Sequence, residues 1–288
     1  MAKRALLIGI NDYPGTQNDL QGCVNDVTNV YDVLVKHFGF VSTDIAMLSN
    51  KRATKKAILD GLKGLIGPCA PGDTLVFQYS GHGSQVRCTE GDELEDGKDE
   101  IICPWDFDWD GTFIKDDDLA SLFADMKKGV QLEVILDSCH SGTGTREMIL
   151  DRSSLRGMPA GMGLEQDLWS SRFCIRPRYL TPPADIALRA DEIFGEELPL
   201  RKFGRLAGLN HVLWAACRSD QYSADADIGG KPGGAFSYFF CKHIRDTEGK
   251  INRSDLLKRI RASLKHEGFS QVPQLECPDK GKHMEVFC

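Results

Sequence analysis

Two short polar clusters carry the residues best suited to covalent chemistry. Ser80-Gly81-His82-Gly83 follows the apolar run TLVFQY, and Asp137-Ser138-Cys139-His140-Ser141-Gly142 follows LEVIL. A thiolate is a strong nucleophile, and an imidazole beside it both removes the thiol proton and returns it to a leaving amine. Cys139 as nucleophile and His82 as general base is the chemistry these types describe. His140 competes as base, but the immediate neighbour of Cys139 normally projects another way. Gly83 and Gly142 let backbone amides approach a reacting carbonyl, which makes the Gly83 and Cys139 amides the expected oxyanion donors. Two other readings stand beside this one. A cysteine phosphatase also places Cys and a Gly-containing loop after a strand, with Arg six positions beyond the Cys. Here that position is Thr145, Arg146 comes one later, and the His82 loop would have no role. The second is a non-catalytic scaffold that binds partners through the same cleft.

The elements that must position these clusters follow from apolar periodicity. Ala5 to Ile10, Ile45 to Leu48, Thr74 to Tyr79, Leu132 to Leu136 and His211 to Cys217 read as strands. Leu20, Val24, Val27, Tyr31, Leu34 and Phe38 recur at helical spacing, with Gly39 placed as a left-handed C-cap. Further helices are expected after a Thr54 cap (Ala57, Ile58, Leu62, Leu65), over Leu119 to Met126, around Phe236 to Ile244, and through Leu256, Leu257, Ile260 and Leu264. Strands alternating with helices mean an α/β fold, a mostly parallel sheet covered on both faces. Both polar clusters then sit at the carboxyl ends of strands, where open α/β sheets place their sites.

Composition narrows the class. The chain has 288 residues, 41% of them hydrophobic, which suits one or two soluble globular domains. A net charge of −7 argues against a nucleic-acid or anionic-membrane binder. None of the ten cysteines forms a C-x-x-C pair, so a zinc ribbon is not expected. The start, MAKRALLIGIND, is too short for a signal-peptide core, and no run approaches 18 apolar residues. The expected setting is a reducing, cytoplasmic one, with no membrane partner.

YSGHG at 79–83 and DSCHSG at 137–142, together with GCVND at 22–26, DGKDEIICPWDF at 96–107, IKDDDL at 114–119 and ACRSDQYSAD at 216–225, resemble the metacaspases, relatives of the caspases. The likeness covers about 1–142 and 206–288, and the compact form is similar to the bacterial members called orthocaspases. It implies a caspase-like three-layer α/β/α sandwich formed as a single domain over 1–288. Residues 1–142 would be its large-subunit-like part, 143–205 an insertion and 206–288 its small-subunit-like part. It also implies a cysteine endopeptidase with His82 as base and Cys139 as nucleophile, acting on polypeptides after Arg or Lys. Carried over by position, Cys23, Asp26, Ser80 and Asp137 line the substrate pocket. The chemistry agrees, because Asp26, Asp137 and Asp220 converging on one pocket would suit a cationic side chain.

The stretch 90–118 is the most acidic in the chain. Asp106, Asp108, Asp110, Gly111 and Asp117 match a calcium-loop spacing, but the IICPW flank reads as strand, and a hairpin turning on Asp110-Gly111 is the favoured expectation. The resemblance carries a separate calcium set, Asp99, Asp116 and Asp117, although several bacterial members need none. No cofactor is required, and calcium dependence stays open. The 143–205 segment contains Arg146, Arg152, Arg156, Arg172, Arg176 and Arg178. In an enzyme that cuts after basic residues it is a self-cleavage region; otherwise these arginines only keep a surface loop soluble.

Overall fold

A computed structural model describes residues 1–87, 98–139, 175–183, 211–219 and 221–288. In chain order its strands are β1 (Lys3–Gly9), β2 (Ile45–Ser49), β3 (Thr74–Ser80), β4 (Gly83–Arg87), β5 (Lys98–Ile102), β6 (Ile114–Lys115), β7 (Gln131–Asp137), β8 (Arg176–Pro177), β9 (Val212–Ala215), β10 (Ala224–Ile228), β11 (Lys231–Gly234) and β12 (Gln274–Glu276). The helices are α1 (Cys23–Phe38), α2 (Lys55–Ile66), α3 (Asp116–Ala124), α4 (Ala235–Asp246) and α5 (Arg253–His266).

The central sheet runs β12-β9-β7-β3-β1-β2. It is parallel except for β12, which lies antiparallel to β9 at one edge. Its inner strands β1, β3 and β7 are near-continuous apolar runs because both faces are covered. Successive residues therefore feed two cores. Leu6 and Ile8 of β1, Leu75 and Phe77 of β3, and Val134 and Leu136 of β7 pack with Ile58 and Leu62 of α2 and with Leu119 and Phe123 of α3. Ala5, Leu7, Val76 and Ile135 face the other way, toward Val27, Val30 and Leu34 of α1, Phe236 and Phe240 of α4, and Leu256 and Ile260 of α5. This is the three-layer α/β/α arrangement with a mostly parallel sheet that the resemblance implies.

Local chemistry fixes the helix ends. Thr54 Oγ1 accepts the Ala57 amide at 3.2 Å and Asn252 Oδ1 accepts that of Asp255 at 2.8 Å. Gly39 closes α1 in the left-handed region at φ 68°. A buried carboxylate ties α5 and the last residues of the chain to the sheet. Glu133 of β7 accepts from Arg253 Nη2 (2.6 Å), Trp214 Nε1 (2.9 Å) and the Phe287 amide (2.6 Å).

Two small antiparallel sheets, β4-β5-β6 and β11-β10-β8, flank the carboxyl edge of the large one. The expected hairpin across Asp110-Gly111 is not formed. Asp108 captures the amides of Asp110 (3.0 Å) and Thr112 (2.9 Å), so a side-chain-closed turn replaces strand pairing, and β6 begins only at Ile114. Among the described residues no helix is long and apolar enough to cross a membrane.

Candidate active site

In register, Ser80 pairs with Asp137, so β3 and β7 end side by side and release the two loops at one edge. The His82 loop is clamped by two buried tyrosines. Tyr79 Oη donates to the carbonyls of His82 and Cys103, each at 2.7 Å, and Tyr13 Oη accepts the His82 amide at 2.9 Å. The Tyr13 ring lies against the imidazole with centroids 4.9 Å apart. His82 Nε2 is 2.7 Å from the Asn18 carbonyl oxygen. A carbonyl only accepts, so Nε2 carries the proton and Nδ1 is left with the lone pair. Nδ1 is buried and has no hydrogen-bond partner among the described residues. Burial, foremost, drives the imidazole down to about 4, with the Arg178 charge adding to it and the Asn18 carbonyl opposing it, so the ring is neutral at pH 7.

Cys139 is fully buried; its Sγ accepts the Ser223 amide at 2.7 Å. Cys217 packs beside it. A hydrogen bond to Cys139, then burial, push the Cys217 thiol up and keep it protonated.

The feature that organises the site is a strand of the chain itself. Residues 175–183 run through the cleft, with β8 paired antiparallel to β10. Arg178 is wholly buried. Its carbonyl oxygen accepts the Gly83 amide at 3.0 Å and the Cys139 amide at 3.1 Å. The two amides singled out from the sequence therefore converge on one oxygen. The Arg178 amide donates to the Ser223 carbonyl at 3.1 Å.

The Arg178 guanidinium enters a pocket of three carboxylates. Nη2 lies 2.6 Å from Asp26 Oδ2 and 2.9 Å from Asp225 Oδ1, and Nη1 lies 3.2 Å from Asp137 Oδ2. Each carboxylate is itself aimed. Asp26 takes the Gly234 amide (2.9 Å), and Asp225 takes those of Gln21 (2.6 Å) and Gly22 (2.9 Å). Asp137 takes the hydroxyls of Ser223 and Ser237, each at 2.6 Å. Burial works against the Arg178 charge, but the surrounding carboxylates outweigh it and raise the guanidinium further. Burial also pushes the Asp26 carboxyl up to about 7 against the pull of Arg178. Gly234 forms a wall of the pocket, for a Cβ there would sit 2.2 Å from Asp137 Oδ2 and 2.6 Å from Arg178 Nη1.

Of the pocket residues expected from the sequence, Asp26 and Asp137 bond directly to the guanidinium. Ser80 is buried at the end of β3 and accepts from Gln78 Nε2 at 2.6 Å. Cys23 is buried at the start of α1, where burial raises its thiol and the charge of Arg178 opposes that rise. Asp220 and His140 lie outside the described residues, as does most of 143–205. Asp225, Ser223, Ser237, Tyr13, Tyr79 and Gly234 were not singled out in the sequence. The ACRSDQYSAD block ends on Asp225 and was the one available signal for it.

The calcium set is split between two elements. Asp99 is buried on β5, and Lys115 Nζ lies 2.6 Å from its Oδ2, so a cation of the chain already meets it. Asp116 and Asp117 open α3. Among the described residues no three His, Cys, Asp or Glu side chains gather around a point suited to a metal ion.

Fold and site define a caspase-like cysteine peptidase: a parallel sheet presenting a cysteine and a histidine on neighbouring strand ends. The sequence profile described as metacaspase, peptidase C14 domain matches residues 3–147. Metacaspase-1 of Scheffersomyces stipitis is 33% identical over 295 residues, spanning 96% of this chain and 70% of that protein. Protein GSU0716 from Geobacter sulfurreducens superposes with a TM-score of 0.66 at 23% identity, over 100% of this chain and 98% of its own. Caspase-1 from Spodoptera frugiperda superposes with a TM-score of 0.57 at 14% identity, over 96% and 86%. Those two likenesses concern the fold alone. This chain belongs to the metacaspase family and is a cysteine endopeptidase.

Proposed function

We propose that this peptidase cuts polypeptides after arginine, and less readily after lysine, through a Cys139/His82 dyad, and that Arg178–Tyr179 is a bond it cuts in itself. One observation carries the reading. Arg178 lies in the cleft as a substrate would, with its guanidinium among Asp26, Asp137 and Asp225 and its carbonyl on the Gly83 and Cys139 amides. Donors aimed at the oxygen where charge will develop are the geometric mark of an oxyanion hole.

The reaction follows from this arrangement. His82 Nδ1, holding the lone pair, takes the proton of Cys139 Sγ. The thiolate attacks the arginyl carbonyl carbon, and the oxygen becomes an oxyanion held by the two amides. The imidazolium returns the proton to the leaving amine as the C–N bond breaks. A water molecule, deprotonated by the same nitrogen, then hydrolyses the thioester. Arginine is preferred over lysine because its forked donors reach all three carboxylates at once, which one ammonium does less well. While the segment is seated, the pocket is filled, so other polypeptides are cut only after it leaves. Calcium, an expectation of the family resemblance, enters as an assay condition.

The test is hydrolysis of fluorogenic peptides ending in Arg, Lys or Asp, with calcium and with chelator, using Cys139→Ala as control. Cleavage of the Arg peptide above the Lys peptide, none of the Asp peptide, and none by the variant is expected. No cleavage of either basic peptide in both conditions would overturn the reading.

A further inference from the structure

The chain beyond Arg178 is held as firmly as the chain before it. Leu180 donates its amide to the Gly83 carbonyl at 3.0 Å, and the Ser84 hydroxyl donates to the Leu180 carbonyl at 2.6 Å. Gly83 thus grips both sides of the Arg178–Tyr179 bond, its amide on Arg178 and its carbonyl on Leu180, and it bridges to Tyr179 in parallel. Ser84 is fully buried on β4, the edge strand of the β4-β5-β6 sheet.

The side chains follow the same logic. Leu180 is only 8% exposed and belongs to the apolar core that includes Val86, Ile102 and Cys103. Tyr179 is half-buried with its ring 5.7 Å from that of Tyr222, and Thr181 is exposed. The grip therefore reaches two residues past the cut and ends there, on an apolar side chain in an apolar pocket with both main-chain groups bonded.

From this we infer a second specificity site on the leaving side of the scissile bond, formed by Gly83, Ser84 and the apolar residues behind β4. It selects substrates with an apolar side chain two residues after the cut. The inference rests on the proposed cleavage after arginine and adds to it the substrate class: arginine, then any residue, then leucine or a similar apolar residue. Burying such a side chain rather than leaving it in water discriminates by about 10- to 100-fold.

The experiment uses the purified chain and internally quenched nonapeptides copying residues 175–183. One keeps Leu180, one carries Leu180→Ser and one Leu180→Asp. A coumarin peptide ending in arginine, with nothing beyond it but the dye, runs alongside. The expected result is a kcat/KM lower by about 10-fold or more for both substituted peptides, with cleavage confined to the Arg–Tyr bond. The serine peptide separates loss of apolar burial from added charge. Equal kcat/KM for all three nonapeptides, with the coumarin peptide cleaved, overturns the subsite and leaves the arginine reading intact. Cleavage of the leucine nonapeptide with the coumarin peptide untouched supports the subsite. No cleavage of any of the four overturns both.

Discussion

Gly234→Ala is a sharp probe of the arginine pocket because it acts at one point. Gly234 has φ −68° and ψ 129°, values open to any residue, so alanine brings no backbone strain. Its Cβ would stand 2.2 Å from Asp137 Oδ2, 2.6 Å from Arg178 Nη1 and 2.8 Å from Arg178 Cζ. Asp137 cannot give way cheaply, since its oxygens also hold Ser223 Oγ, Ser237 Oγ and the Ser237 amide. Both groups must shift to admit the Cβ, and the guanidinium loses the Nη1 contacts to Asp137 Oδ2 (3.2 Å) and to the Asp137 carbonyl (3.1 Å). Hydrogen bonds to charged groups are worth about 1.5–3 kcal/mol each. Losing the equivalent of one to two costs about 3 kcal/mol, or roughly 100-fold in kcat/KM. The assay is hydrolysis of the arginine coumarin peptide by processed enzyme, beside a thermal melt and the rate of Cys139 alkylation by iodoacetamide. A large fall in kcat/KM with the alkylation rate nearly kept and the melting midpoint lowered is expected. An unchanged kcat/KM would refute the claim that arginine side chains seat against Gly234.

Other expectations follow from the same geometry. Hydrolysis after arginine should decline as pH falls through about 7, because Asp26, raised to about 7, then takes up a proton and loses its charge against the guanidinium; Asp26→Asn should abolish that limb of the pH profile. The stability sign is opposite. A carboxyl raised above its ordinary 3.8 keeps its proton in the native state while the unfolded chain releases it. The Cys139→Ala chain should therefore lose stability as pH rises from about 4 to about 7, and Asp26→Asn should flatten that slope in urea melts. Glu133→Gln leaves Arg253 buried without its ion pair and should lower unfolding free energy by about 3–5 kcal/mol in urea melts. Tyr13→Phe strips the His82 amide of its acceptor and should cost about 1–3 kcal/mol, read in the same melts, together with a lower kcat.

The sheet and its helices were legible because strands buried on both faces are unbroken apolar runs, ALLIG in β1 among them, while the helices repeat their apolar residues at helical spacing. The two reactive loops were legible because strand runs end abruptly in His- and Cys-bearing clusters. The small sheets were not, since β6 and β8 are two residues long and carry no period of their own. The turn at Asp108 escaped because its side chain, rather than a strand partner, takes the loop amides. Arg178 is one of nine arginines in 143–205, and what distinguishes it is a fold-back that no local pattern encodes. Asp225 was hidden for the same reason, its carboxylate being aimed by amides at the start of α1 two hundred residues earlier. Tyr13 and Tyr79 read as core residues, which they are; their hydroxyls matter only once both meet the His82 loop.

The central claim is that this metacaspase treats its own Arg178 as substrate. Intact-mass analysis with amino-terminal sequencing of the purified chain tests it most directly, with Cys139→Ala prepared in parallel. A fragment beginning at Tyr179 from the parent chain, and an intact Cys139→Ala chain, are the expected results. A parent chain that stays whole with calcium present, or a variant that breaks at the same bond, would contradict it.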